Sequence, residues 1–140
     1  MRKGFSLIEV ILSLSILGFL VYMASTSFLN LAPKYRLQKA VWEINSRLNY
    51  ARYKALFEGL KVRIKFNSSG YALEIYEEEK ERWKLEEKHL LEGVSLQANN
   101  SPTFHPGGIV SSLASIYISN SWAKYKITIA ISGRVKISKL

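Results

Sequence analysis

Residues 3–12 read KGFSLIEVIL and place Glu9 inside an apolar run that starts almost at the first residue. From residue 5 to residue 24 the chain reads FSLIEVILSLSILGFLVYMA. Its polar residues are Glu9, three serines and one tyrosine. An α-helix needs about 20 apolar residues to cross the hydrocarbon core of a bilayer. The stretch therefore predicts a membrane-spanning helix that carries one carboxylate.

The charges before the apolar run predict its orientation. Arg2 and Lys3 precede the run, so the positive-inside rule leaves the N-terminus in the cytoplasm and the rest of the chain across the membrane. An ordinary secretory signal peptide is a poorer match, because its apolar stretch spans about 7–15 residues and ends at a small-residue cleavage site.

Three interpretations of Glu9 stay open from the residues alone. Glu9 can be an incidental polar residue near the lipid interface, it can belong to a buried helix of a soluble protein, or it can face a specific cation. An acid inside a membrane span is costly, and it is a functional candidate when a partner cation can be named.

The N-terminal residues resemble a known family. After the basic tip, Gly4-Phe5-Ser6-Leu7-Ile8-Glu9 is similar to the class III signal of type IV pilins and type II secretion pseudopilins. The resemblance implies that a prepilin peptidase cleaves between Gly4 and Phe5, and that Phe5 is then N-methylated. It also implies that Glu9 pairs with the N-terminal amine of a neighbouring subunit during filament assembly. Such a pair attracts by about 4 kcal/mol at an effective dielectric constant of about 20, before desolvation is counted.

The region after Pro33 predicts a second helical segment. Pro33 itself can kink or interrupt a helix. Beyond it, KYRLQKAVWEINSRLNYARYKALFEG has apolar residues at steps of three and four, namely Leu37, Ala40, Val41, Ile44, Leu48, Ala51 and Ala55. We expect Glu43 and Arg47 to pair along the helix, and Gly59 to end it.

After Gly59 the apolar period changes to two, which predicts strands. Residues 62–66 and 71–76 predict a hairpin around residues 67–70, followed by a solvated turn at 77–82. Further strands are expected at 94–98, 115–120, 124–131 and 135–138, with 99–115 mainly loop. In the last hairpin we expect Ile131 opposite Val135, and a three-residue connection or a bulge near Gly133.

Together these elements predict an α+β protein, in which a long N-terminal helix packs on a mostly antiparallel β-sheet and the first half of that helix spans the membrane. The predicted organisation is a leader peptide at 1–4, a transmembrane and assembly helix at 5–33, and a globular pilin-like domain at 34–140. The chain is most similar to the GspH/FimT branch of minor pseudopilins and pilins. This similarity rests on four segments: NYARYKAL, Phe104-x-Pro106-x-Gly108, SIYISN and SGRVKI.

The composition argues against an enzyme. The chain has no cysteine, so it holds no disulfide and no thiolate zinc site. His89 and His105 are its histidines, and no Gly-x-Ser-x-Gly elbow accompanies them. We predict no catalytic, cofactor-binding or metal-binding residue, and we expect residues 105–108 to form a structural turn.

Charge leaves two functional hypotheses open. The chain carries a net charge of +9. The charged residues after Glu92 are all cations, namely Lys124, Lys126, Arg134, Lys136 and Lys139. The first hypothesis is a minor pseudopilin or pilin, a single-pass inner-membrane subunit with a periplasmic domain, whose partners are other pilins and the prepilin peptidase. The second is a DNA-binding minor pilin of a DNA-uptake pilus, in which these five cations contact phosphates.

Overall fold

The computed structural model describes residues 4–140, with the side chains of residues 26–30 excepted. Arg2 and Lys3 of the predicted leader lie outside the described residues. The chain divides into two units at the junction of Ala32 and Pro33. The predicted boundaries at residues 4 and 33 stay a prediction.

One long helix, α1, extends over Leu7–Glu58 and includes Pro33, so this proline does not end it. Gly59 follows the helix with a φ of +69°, the left-handed conformation in which glycine commonly terminates helices. The predicted stop at Gly59 is therefore confirmed.

Nine strands follow the helix: β1 (Val62–Asn67), β2 (Gly70–Glu77), β3 (Arg82–Leu90), β4 (Ser95–Ala98), β5 (Thr103–Phe104), β6 (Val110–Ser111), β7 (Ser115–Ser119), β8 (Lys124–Ile129) and β9 (Val135–Lys139). They form a five-stranded sheet in the order β3-β2-β1-β5-β6 and a four-stranded sheet in the order β4-β7-β8-β9. All strand pairs are antiparallel. The predicted α+β class is confirmed, and the strands are divided between two sheets.

The second half of α1 and both sheets share one hydrophobic core. The seven apolar helix residues predicted to form one face are all buried. Alternate residues of the strands meet them, among them Val62 and Ile64 of β1 and Ile116 and Ile118 of β7. Because side chains alternate between the faces of a strand, each sheet buries one face and exposes the other.

Of the three strands that the sequence did not predict, β3, β5 and β6, strand β3 is the longest. Its sequence, RWKLEEKHL, lacks apolar alternation, and most of its residues are exposed. It pairs with β2 from Gly70↔Leu90 to Glu77↔Arg82. The backbone of β2 approaches it closely, since a Cβ added to Gly70 would lie 2.1 Å from the carbonyl oxygen of His89.

The last hairpin has a different register from the one predicted. Val135 lies opposite Ile129 and not opposite Ile131, which sits at the exposed tip of the turn. The N–H of Ala130 donates to the carbonyl of Arg134 at 2.9 Å, which leaves a three-residue connection. Gly133 in that connection has a φ of +76°. The connection length and the special role of Gly133 are as predicted. The two-residue shift keeps Ile129 and Val135 on the inner face, whereas Ile131 leaves it.

Candidate functional site

The Glu9 side chain caps the N-terminus of α1. The carbonyl of Ser6 accepts the first helical hydrogen bonds, from the N–H of Glu9 at 3.0 Å and of Val10 at 3.2 Å. In return, Oε2 of Glu9 accepts a bond from the N–H of Ser6 at 3.0 Å. This is the carboxylate half of a capping box, which satisfies a helix N-terminal donor and places negative charge at the positive end of the helix dipole. The carboxylate therefore points back toward Phe5.

The residues around the predicted cleavage point are accessible. Phe5 is 83% exposed, and Gly4 precedes the helix with open space around its Cα. Helix α1 begins at Leu7, two residues after Phe5. Because Gly4 and Phe5 lie outside the helix and are exposed, the bond between them is open to a peptidase.

The N-terminal part of α1 meets the requirements of a lipid-embedded helix. Leu7–Ser25 is a candidate membrane span of 19 residues with a mean hydropathy of 2.3, and none of it is buried within the protein. The hydroxyls of Ser13, Ser15 and Ser25 donate to carbonyls four residues earlier, at 2.7, 2.8 and 2.9 Å. Such back-bonding satisfies serine where no water is available.

The predicted DNA-contacting residues do not share one face. In the register of β8 with β9, Lys126 lies opposite Ser138 and Thr128 opposite Lys136, on the outer face of the four-stranded sheet. By the alternation of side chains along a strand, Lys124 and Arg134, which lies just before β9, are on the same outer face. Lys139 instead lies opposite Tyr125 on the inner face, with its Nζ 4.5 Å from the ring centroid of Trp122. Four of the five candidate cations therefore share the outer face, and Lys139 lies on the other face.

A polar cluster that the sequence analysis missed joins α1 to β2 and β3. The buried hydroxyl of Tyr71 donates to Oε1 of Glu43 at 3.0 Å, and Nε2 of His89 lies 3.0 Å from the same oxygen. Burial, reinforced by the carboxylate of Glu43, raises the pKa of Tyr71 to about 12. Arg47 forms a salt bridge with Glu87 of β3 at 2.9 Å, and Glu43 attracts it only at longer range, so the predicted Glu43–Arg47 pair forms no direct salt bridge. These contacts fasten the sheet to the helix.

The two histidines have structural surroundings. His105 lies in the turn between β5 and β6, where its carbonyl accepts from the N–H of Gly108 at 2.9 Å and its Nε2 is 2.8 Å from Oγ of Ser111. Residues 105–108 therefore form a turn, as predicted. Among residues 4–140, no three histidine or carboxylate side chains cluster in the way that metal ligands do.

Comparison with known proteins agrees with the N-terminal site and with the fold. Residues 1–24 match the family described as the prokaryotic N-terminal methylation motif. No curated protein matches the chain significantly.

Solved structures of two minor pilin-like proteins are among those similar to the chain. The minor pseudopilin EpsH from the type 2 secretion system of Vibrio cholerae superposes with a TM-score of 0.64 at 12% identity, over 74% of this chain and 97% of that one. The type IV minor pilin FimU of Pseudomonas aeruginosa gives a TM-score of 0.62 at 17% identity, over 75% and 90% of the two chains. At these identities the structures establish the fold. Nothing in the comparisons supports the DNA-binding alternative.

Proposed function

We propose that this chain, which is type IV pilin-like by its N-terminal motif and its fold, is a minor pseudopilin or pilin. It is a low-abundance structural subunit, not an enzyme, that enters a type II secretion pseudopilus or a type IV pilus through α1. One observation carries the proposal: the carboxylate of Glu9 lies at the start of an otherwise apolar, uncovered helix and points toward the predicted new N-terminus.

Processing creates the cation that Glu9 needs. Cleavage between Gly4 and Phe5 gives Phe5 a free amine, which is then methylated and stays positively charged. Oε2 of Glu9 is engaged by the N–H of Ser6, and within the described residues Oε1 accepts no hydrogen bond. Oε1 can therefore accept a bond from the terminal ammonium of a neighbouring subunit. Because either charge alone is unfavourable in lipid, the pair favours one axial register between neighbours.

The proposed topology follows from the same segment. Leu7–Ser25 spans the inner membrane, the basic tip stays in the cytoplasm, and the domain of residues 34–140 lies on the periplasmic side. The prepilin peptidase then reaches the Gly4–Phe5 bond from the cytoplasm. The partners in this arrangement are the peptidase and other pilin-like subunits.

Replacing Glu9 tests this proposal. We expect Glu9→Ala to insert into the membrane at normal levels, because the change makes the span more apolar. Its amount in sheared filaments should fall at least about tenfold, as expected for loss of a desolvated charge partner. Ser13→Ala is the matched control, because Ser13 bonds only within its own helix and the change should leave incorporation unaltered.

Mass spectrometry of the membrane protein provides the second measurement. The mature chain should begin at methylated Phe5. An intact Met1 terminus in cells with an active prepilin peptidase would contradict the processing step, and wild-type amounts of Glu9→Ala in filaments would contradict the pairing.

A further inference from the structure

Strand β9 forms an open edge of the four-stranded sheet. Within the described residues no strand pairs with its outer side. The hydrogen bonds from Ala130 to Arg134 and from Leu140 to Lys124 show that the even-numbered residues of this segment bond to β8. Since bonding alternates along an antiparallel pair, Val135, Ile137 and Lys139 direct their N–H and C=O groups away from the sheet. Such groups can pair with another extended chain.

An apolar cavity borders the inner side of this edge. It has a volume of about 290 Å³ and is lined by Gln38, Val41 and Trp42 of α1 together with Tyr125 and Ile137. The Trp42 side chain is 69% exposed, and Ile137 is also exposed. The inward-pointing side chains of an added strand would cover both and would remove apolar area from water.

The outer side of the same edge carries unbalanced positive charge. Arg134 and Lys136 lie there, with Lys126 in the neighbouring row. None of the three forms a salt bridge with any residue that the structure describes. No acidic residue follows Glu92 in the chain. Outward-pointing carboxylates of an added strand would find free cations there.

We propose that β9 binds an extended segment of another protein, in which apolar and acidic residues alternate, as an additional strand of the sheet. The apolar side chains contact Trp42 and Ile137, and the acidic ones contact Arg134 and Lys136. A polypeptide strand satisfies the open backbone, the apolar cavity and the free cations together. A nucleic acid or a lipid headgroup satisfies the cations only.

Charge also argues against self-pairing of β9 between two copies of this chain. Pairing two β9 edges would bring their lysines together, and like charges across strands are destabilising. The net charge of +9 adds a general repulsion between copies. The occupant is therefore a different, acidic protein. This inference extends the proposed function by giving the chemistry of a partner, and it involves no residue of the N-terminal segment.

The experiment uses the full-length, isotope-labelled protein in neutral detergent. The probe is a blocked peptide of alternating valine and glutamate, about seven residues long, within the usual range for a strand. We expect the peptide to slow hydrogen exchange of the amides of Val135, Ile137 and Lys139, whereas that of Ser138, which already bonds to β8, should change little. Lys136→Glu should weaken binding at least about tenfold.

Two controls make the test specific. Lys88→Glu makes the same charge change at an exposed position of β3, the edge strand of the other sheet, and should alter affinity by less than about twofold. A peptide N-methylated at its central residues keeps the charge but loses the backbone donors, and it should not bind.

Several results would overturn the inference: equal binding of the N-methylated peptide, equal binding to Lys136→Glu, or no protection of Ile137 at about 1 mM peptide, the limit of weak affinity. Equal protection by phosphatidylglycerol added to the detergent micelles, or by duplex DNA, would also overturn it. Such a failure leaves the proposed function standing, because that function is measured through Glu9 and Phe5.

Discussion

On the outer face of the five-stranded sheet Arg63 lies opposite Glu74, whereas on the outer face of the four-stranded sheet Lys126 lies opposite Ser138. Two bonds reach Oε2 of Glu74 from Arg63, at 3.0 and 2.5 Å, and Lys65 reaches Oε1 at 3.1 Å. Tyr117, beside Lys126, instead has two lysine ammonium groups within 5.5 Å of its ring centroid. The first sheet balances its charge internally, and the second leaves its cations available to a partner.

The charge pairs of the five-stranded sheet also attach it to the helix. Lys54 of α1 forms a salt bridge with Glu86, and Arg47 with Glu87, both on β3. Around the turn into β3, Glu77 forms salt bridges with Lys80, Arg82 and Lys84. These contacts explain how a strand with so little apolar sequence keeps its place. We infer that charges near β1–β3 serve stability and that charges on β8–β9 serve recognition.

The largest expected effect tests whether the two sheets are one folding unit. Leu48 is fully buried in the core that both sheets share. Leu48→Ala should lower the free energy of unfolding by about 2–5 kcal/mol, through lost burial and the cavity that remains. Hydrogen exchange of the full-length protein in detergent should accelerate equally in β2 and β8.

Phe57→Ala is the control for that change, because Phe57 lies on the same helix and is 81% exposed. Its effect should stay within about 0.5 kcal/mol. Faster exchange in one sheet alone after Leu48→Ala would mean that the sheets unfold separately, and the comparison would then concern two independent units.

The helix core was predictable because its signal is local. All seven buried residues follow the 3.6-residue period, and the spacing alone selects them. Strand β3 was not predictable, because its position depends on backbone pairing with β2 and on charges from α1. Once β3 was missed, the partners of Glu43 and Arg47 could not be found either, since both residues bond to atoms on β3 or β2.

The candidate sites also differ in whether their signal is local in sequence or depends on how the strands pair. The motif around Glu9 is contiguous in sequence, so its resemblance to the class III signal was visible without the structure. The basic patch depended on register. Lys136 and Lys139 are three residues apart on one strand, and an odd separation places them on opposite faces. That signal was present in the sequence. The open edge and its apolar cavity were not, because they need the order of the strands.

A smaller effect is expected from the charge pairs of the first sheet. Desolvation alone would raise the pKa of Glu74, but the hydrogen bonds from Arg63 and Lys65 outweigh it and lower that pKa below its usual value of 4.5. The ionised form is therefore favoured by folding. Its contribution is present above about pH 4.5 and disappears as the pH falls through the lower pKa of the folded state.

Glu74→Gln should reduce the free energy of unfolding at pH 7 by about 1–2 kcal/mol, because charge-assisted bonds are lost. The variant should also lose less stability than the wild type when the pH is lowered from 7 to well below 4.5, because the carboxylate of Glu74 is then protonated in the wild type. Denaturant unfolding at both pH values measures this. Glu78→Gln is the control, since the Glu78 side chain is 81% exposed and lies 3.8 Å from Lys61. A parallel pH response of the wild type and Glu74→Gln would refute the assignment.

The smallest effect is expected from replacing cations of the four-stranded sheet. The informative result there is the sign of the change in the free energy of unfolding. Lys126 and Lys136 form no salt bridge with the described residues, and Lys124 lies near Lys126 on the same face. Replacing Lys126 and Lys136 by glutamine removes repulsion and breaks no ion pair. The free energy of unfolding should therefore stay within about 0.5 kcal/mol of the wild type, and any change should be an increase that shrinks as salt is added. A loss as large as that of Glu74→Gln would mean that these cations stabilise the fold, and the contrast between the two sheets would disappear.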